Sequence, residues 1–187
     1  MRVIAGKAGS LPLRTIEGDG TRPTTDRIKE TLFNILGPSL ADCRFLDIFS
    51  GSGAIGIEAL SRGAAEAVFV EKNKRACTCI RQNLSFTKLA DNGKILCMDA
   101  LQALRVLEGG PAFDIIFMDP PYGKGLYHPL LEQLAVSTLV RADTLIVIEE
   151  AVSADFRPVS ELGYELIRSK KYKTNQHVFL RRMQNKP

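Results

Sequence analysis

Tryptophan is absent from the 187 residues, and the only two histidines, His128 and His177, lie far apart along the chain. The four cysteines, Cys43, Cys77, Cys79 and Cys97, form no Cys-x-x-Cys pair and have no histidine at ligand spacing. That pattern excludes the common zinc frameworks and a disulfide scaffold, and leaves reduced thiols packed in a cytosolic core as the expectation. No apolar run approaches the roughly 18 residues of a membrane span. The opening segment lacks the apolar centre of a secretion signal. The chain is therefore expected to be cytoplasmic, with no membrane partner and no metal. Internal repeats and low-complexity tracts are missing as well. So is a dominant charge: 25 Lys and Arg against 21 Asp and Glu leave +4, which permits an acidic partner such as RNA without pointing to one.

What is present is a globular composition. Hydrophobic residues make up 45% of the chain, enough for a real core at this length. Residues 2–5 and 11–16 read as two short strands around Gly6 and Gly9, forming a hairpin. Residues 21–25 read as a loop punctuated by Pro23. A helix follows with Ile28, Leu32, Ile35 and Leu36 on one face, capped by Thr24 or Thr25 and stopped by Gly37-Pro38. From residue 44 the pattern becomes strand, turn, helix, repeated. Strands are expected over 44–49, 67–71, 94–98, 114–118, 144–149, 164–172 and 178–183. Helices are expected over 54–62, 74–89, a short stretch ending at Val106, and 127–136. Alternating apolar strands and helices predict a parallel sheet covered on both faces. The last two strands have no helix between them and predict an antiparallel hairpin at one edge. The chain thus divides into an N-terminal extension, residues 1–23, and an α/β domain, residues 24–187.

Two turns carry the chemistry. The first joins an apolar strand to a helix and reads Asp47-Ile48-Phe49-Ser50-Gly51-Ser52-Gly53. Glycines let such a turn bend tightly and let a ligand approach the backbone, and the helix that starts there points its free N–H groups at that ligand. Glu71 ends the next strand, where an acidic side chain can accept from a ribose diol. This much suits a nicotinamide dinucleotide or S-adenosylmethionine. Asp47 favours the latter, because a carboxylate before the glycines suits a cationic aminoacyl sulfonium and sits awkwardly beside a pyrophosphate. Asp99, with Ala100, follows the third strand, where Asp99 either meets the adenine amino group or caps the next helix.

The second turn is Asp119-Pro120-Pro121-Tyr122, at the carboxyl end of a strand, where ligands bind in open α/β sheets. Two prolines fix φ and remove two N–H donors, leaving a stiff turn with outward carbonyls. Asp119 and a carbonyl can then accept from one NH₂ group, while Tyr122 offers a face for stacking a base. The amino group of guanine, adenine or cytosine is conjugated with its ring and is a poor nucleophile. Acceptors that draw its N–H bonds out of the ring plane free the lone pair, and Asp119 stabilises the positive charge that develops.

With these motifs in place, the chain resembles the RsmD family of bacterial 16S rRNA guanine-N2 methyltransferases over nearly its whole length. Arg2-Val3-Ile4-Ala5-Gly6 resembles the family's start. Thr21-Arg22-Pro23-Thr24, Asp26-Arg27 and Leu32-Phe33-Asn34 resemble its signature helix, residues 46–53 its cofactor loop and Asp119–Tyr122 its catalytic turn. The resemblance implies a class I, Rossmann-like methyltransferase with a seven-stranded, mostly parallel sheet and an antiparallel C-terminal edge. It implies S-adenosylmethionine as cofactor and N2 of one guanine, at position 966 in the usual rRNA numbering, as target. The implied substrate is the small ribosomal subunit or an assembly intermediate of it. Family relatives can carry Phe where this chain has Tyr122, since either ring stacks.

Rival readings are a DNA adenine or cytosine methyltransferase, a protein glutamine methyltransferase, and an RNA-binding module without catalysis. The first usually needs an added recognition domain, for which little chain is left over, and the second more often carries Asn in place of Asp119. The basic residues Arg2, Lys7, Arg14, Arg22 and Arg27 in the N-terminal segment, with Lys124 in the loop after Tyr122, are the candidates for RNA contact. Lys170, Lys171 and Lys173 are the alternative.

Overall fold

The computed structural model describes residues 1–16 and 26–183. The proposed loop over 21–25, its capping threonines and Arg22 lie outside the described residues. Twelve main elements follow one another: α1 (Asp26–Leu36), β1 (Arg44–Ile48), α2 (Ala54–Ser61), β2 (Glu66–Val70), α3 (Lys74–Phe86), β3 (Gly93–Leu96), α4 (Ala100–Leu107), β4 (Phe113–Met118), α5 (Tyr127–Ala135), β5 (Val140–Ala151), β6 (Tyr164–Lys171) and β7 (Asn175–Arg182).

The seven strands form one sheet in the order β3-β2-β1-β4-β5-β7-β6. β1 to β5 run parallel, and β7 pairs antiparallel with both β5 and β6. This is the mixed α/β sheet that the alternating pattern predicts. Strand order reverses between β1 and β4, so a crevice opens at their carboxyl ends, where both chemistry-bearing turns emerge.

Side chains alternate across each strand and sort into two buried clusters. Phe45, Phe69, Ile115, Phe117, Val147 and Phe179 pack under α1, α2 and α3. Leu46, Ile48, Ile116, Ile146, Val178 and Leu180 pack under α4 and α5. All eight residues of α2 are buried, so its sequence is mostly apolar with no exposed polar face, and its two polar side chains, Glu58 and Ser61, are bonded inside.

The expected N-terminal hairpin forms in a shortened version, with an antiparallel bridge between Arg2 and Pro12 flanked by Val3 N–H to Leu11 O, Leu13 N–H to Met1 O and Ser10 N–H to Val3 O. It extends no further because the neighbouring backbone bonds to the helices beneath it. The N–H groups of Ile4 and Ala5 both donate to the Glu58 carboxylate at 2.7 and 3.1 Å. The Ser61 hydroxyl accepts from Ala8 N–H and donates to Ala5 O, and Arg14 N–H donates to Asn83. Gly6 makes the closest approach: at φ +85°, a Cβ there would lie 1.9 Å from Ser61 O. Val3, Ala8 and Leu13 join the core.

Glu58 is fully buried and also takes Lys29 Nζ at 3.1 Å and Arg62 Nε at 2.7 Å. Lys29 is itself buried and also donates to Arg2 O. Burial pushes the Lys29 amine below its usual range, against the attraction of Glu58. This charged knot ties α1, α2 and the N-terminal segment together.

The three largest boundary shifts have local reasons. α3 stops at Phe86 because Thr87 returns its hydroxyl to Asn83 O and Lys88 turns to φ +59°. β5 starts at Val140 rather than 144, with an irregular pairing against β4 where Thr144 Oγ1 takes Arg141 N–H and donates to Phe113 O. β7 begins at Asn175 rather than 178, because its polar start is buried and fully bonded. Three cysteines are buried as expected, but Cys97 is exposed. Among the described residues, no helix is long and apolar enough to cross a membrane, and no cluster of His, Cys, Asp and Glu has the grouping of a metal site.

Candidate active site

The glycine turn leaves β1 through Phe49, a non-glycine residue at φ +63°, and continues through Gly51 at +54° and Gly53 at +80° into α2. These left-handed conformations tolerate glycine best. Ser50 fixes the turn: its hydroxyl donates to Asp47 O at 2.6 Å and lies 3.2 Å from Val70 O. Glu71 reaches over from the end of β2, accepting Gly51 N–H at 3.0 Å and Asn73 N–H at 2.8 Å. Nothing lies within 4 Å of where a Gly51 side chain would stand, so the turn's outer surface is open to a ligand.

Asp47 faces α2, as its alternation with the apolar Leu46 and Ile48 dictates, and accepts Gly56 N–H at 3.0 Å. It is buried. Desolvation lifts its pKa to about 7, the Gly56 N–H opposes, and Glu71 adds to the rise. A carboxyl held at that point ionises readily when a cation arrives. Asp99 accepts Leu101 N–H at 2.9 Å and caps α4 ahead of Ala100. Of the two roles open to it, the capping role is the one its geometry displays.

Asp119 follows β4, its N–H donating to Ile48 O across the switch point, which places it beside the glycine turn. Among the described residues, its carboxylate makes no hydrogen bond and no ion pair. Burial raises its pKa well above the usual carboxylate value, reinforced by Glu149, Asp47 and Glu150. Pro120 is buried and Pro121 exposed, so the turn is stiff and anchored on one side.

Tyr122 is 42% exposed, as a stacking face requires, but its hydroxyl is not idle. It donates to Glu149 Oε1 at 2.7 Å. Glu149 is buried and also accepts Asn175 Nδ2 at 2.7 Å, while its Oε2 lies 2.9 Å from His177 Nε2. His177 Nδ1 in turn lies 3.2 Å from the Tyr172 hydroxyl. Burial works to raise the Glu149 pKa, and the bonds from His177, Tyr122 and Asn175 prevail and hold it below its ordinary value. On the other face of the sheet, Glu150 accepts Gly123 N–H, so both carboxylates of β5 hold the turn. Tyr122 is therefore braced from below, which a reading of Tyr and Phe as interchangeable at this position does not anticipate. No sequence pattern marks His177, Glu149 and Asn175 as a group. The available signal is two adjacent acidic residues ending an otherwise apolar strand.

The basic candidates do not converge. Arg2 pairs with Asp26 at 3.0 Å, and Arg14 donates to Gln82. Lys7 and Lys124 are exposed. Arg27, at the start of α1, lines a cavity of about 420 Å³ together with Lys170, Lys171 and Lys173. The structure thus joins one N-terminal candidate to the three alternative lysines.

The family described as Conserved hypothetical protein 95 matches residues 1–181. "Ribosomal RNA small subunit methyltransferase D" of Escherichia coli K12 is 37% identical over 152 residues, covering 81% of this chain and 75% of that protein. The protein of the same name from Haemophilus influenzae is 35% identical, covering 80% and 78%. Among solved structures, the Escherichia coli protein yhhF superposes with a TM-score of 0.84 at 33% identity, covering 98% of both chains. A Thermus thermophilus protein superposes at 0.81 with 30% identity, covering 96% and 98%. The sheet order, the glycine turn and the Asp119–Tyr122 turn meeting at the switch point therefore belong to a class I methyltransferase fold, and the chain is a member of the RsmD family, that of ribosomal RNA small subunit methyltransferase D.

Proposed function

We propose that the protein transfers the methyl group of S-adenosylmethionine to the exocyclic N2 of one guanine in the 16S rRNA of the small ribosomal subunit or its assembly intermediate. The observation that carries this reading is the Asp119 carboxylate: rigidly mounted between β4 and two prolines, partly buried, unbonded among the described residues, and next to the glycine turn. A carboxylate left without a protein donor in such a place suits an incoming N–H donor.

The residues present fit the cofactor. The open surface over Gly51 gives a ligand access to the backbone. Glu71 retains a lone pair on each oxygen for ribose hydroxyls after binding Gly51 and Asn73. Asp47 and the free N–H groups at the start of α2 would hold the aminoacyl end, the Asp47 carboxylate toward the cofactor's amine and the helix N–H groups toward its carboxyl. S-adenosylmethionine supplies an electrophilic methyl on a sulfonium. Asp119 and a turn carbonyl accept the two N–H bonds of the guanine amino group and turn its lone pair outward. Tyr122 stacks on the base once it has left its neighbours. With the cofactor bound, its sulfonium would supply the methyl and leave as the neutral thioether, and the proton lost from nitrogen would pass to Asp119, which accepts that N–H, and on to water. The ionised Asp119 stabilises the charge that builds on nitrogen before that loss.

The test is incubation with labelled S-adenosylmethionine and, in parallel, small subunits from cells lacking the enzyme, naked 16S rRNA, DNA and release-factor protein. Label in N2-methylguanine of 16S rRNA is expected. Label in DNA or in glutamine instead would overturn the reading.

A further inference from the structure

The geometry points to the groove between α1 and the β6–β7 turn as the site that holds the phosphates of the RNA strand flanking the target base. This deepens the function proposed above and rests on its RNA substrate. Arg27 and Thr31 form one wall, and Lys170, Lys171, Tyr172 and Lys173 form the other, around about 420 Å³. The walls come from distant parts of the chain, brought together only by the fold. Among the described residues, none that line the groove is acidic, and none of its four cations makes an ion pair. Other exposed cations, Lys94 and Arg105 among them, also lack an ion pair among the described residues, so what sets the groove apart is that four cations gather around one concavity. Four unneutralised cations around a concavity are costly in mutual repulsion unless an anion joins them.

The occupant is a polyanion rather than a protein surface. Protein interfaces concentrate aromatic and apolar anchors at their centre and are poor in lysine. Here lysine dominates, and Ile28 and Tyr172 are the only large apolar-bodied linings among the described residues. The groove also lies near the base turn. The Tyr172 hydroxyl connects through His177 and Glu149 to the Tyr122 hydroxyl by bonds of 3.2, 2.9 and 2.7 Å. Allowing for the covalent spans within Glu149 and His177, the two hydroxyls are at most about 13 Å apart. That is a few nucleotides of a strand at a rise of roughly 3.4 Å. A strand whose guanine is drawn out onto Tyr122 therefore lays its neighbouring phosphates in the groove, and the hydrogen-bonded chain fixes the spacing between the two contacts.

The experiment compares wild type, Lys170→Gln/Lys171→Gln/Lys173→Gln, and a control, Lys94→Gln/Arg105→Gln, whose cations sit on β3 and α4 away from the groove. Binding to small subunits from cells lacking the enzyme is measured against salt concentration, alongside methyl transfer. Each lost phosphate contact lowers the salt slope by about 0.7–0.9. The triple variant is expected to lose about 2–3 from the slope and to raise KM for the particle on the order of 10- to 100-fold near physiological salt. Its single-turnover rate at saturating particle should stay within about twofold, and its melting shift with S-adenosylhomocysteine should be unchanged. The control should match wild type. A triple variant with unchanged slope and KM, while wild type methylates the particle, overturns the groove alone. Failure of wild type to methylate any particle overturns the proposed function instead.

Discussion

Replacing Tyr122 by Phe keeps the ring and removes only the hydroxyl, so it isolates the brace beneath the Asp119–Tyr122 turn. The lost bond is 2.7 Å long and ends on a carboxylate that is 3% exposed. A hydrogen bond to a charged group contributes about 1.5–3 kcal/mol. Tyr122 itself is partly open to water, which argues for the lower half of that range. At tenfold per about 1.36 kcal/mol, ordering of the turn should weaken roughly 10- to 50-fold. If the base stacks only on the ordered turn, the single-turnover rate falls by the same factor while S-adenosylmethionine affinity holds, because Glu71 and the glycine turn are untouched. Glu149→Gln removes the charge but leaves an acceptor, and it also removes the largest carboxylate influence raising the Asp119 pKa. Its rate profile should therefore shift to lower pH. Because both substitutions act on one bond, the double variant should lose less than the two single losses combined. A Tyr122→Phe enzyme within about twofold of wild type would refute the brace.

Three further outcomes follow from the same geometry. Lys29→Met leaves Glu58 buried without its α1 partner, a loss of about 3–5 kcal/mol and a fall in Tm of roughly 6–20 °C by calorimetry; a drop under about 2 °C would mean the charged knot contributes nothing net. The Asp47 pKa stands near 7, above its ordinary 3.8, so the stability its neutral form contributes is complete below pH 3.8 and is lost as pH rises through about 7. A cationic ligand prefers the ionised form, so S-adenosylmethionine affinity should rise through about pH 7 with proton release, seen by calorimetry in buffers of different ionisation enthalpy, and Asp47→Asn should abolish that release. Glu71→Ala should weaken S-adenosylhomocysteine binding without unfolding the protein. An unchanged melting shift with that ligand would move the ribose elsewhere.

The parallel core was legible because its strands are mostly apolar and its turns carry glycine or Pro-Pro. The glycine turn and the Pro-Pro turn were legible as turns for the same reason: local geometry there demands particular residue types. The supports beneath them were not. Asn175, Gln176 and His177 read as a polar loop, yet they are buried at the head of β7 because Glu149 and three carbonyls of residues 151–154 take their donors. The N-terminal hairpin was legible where residues 1–3 pair with 11–13, but not beyond, where Glu58 and Ser61 claim the backbone of Ile4, Ala5 and Ala8. Arg27 and Lys170–Lys173 become neighbours only when β6 and β7 complete the edge of the sheet next to α1. Pairing between distant polar groups leaves no local pattern in a sequence.

The central claim is that Asp119 accepts the amino group that is methylated. The direct test is single-turnover methylation of small-subunit rRNA, with particles from cells lacking the enzyme and cofactor saturating. Wild type should form N2-methylguanine. Asp119→Ala should be slower by roughly 10- to 200-fold, the equivalent of one charge-assisted hydrogen bond, and Asp119→Asn should lose less because its amide oxygen still accepts. Cofactor binding should be unaltered in both. Near-normal rates for Asp119→Ala and for Tyr122→Ala would contradict the account, leaving the turn a structural feature and the base pocket elsewhere.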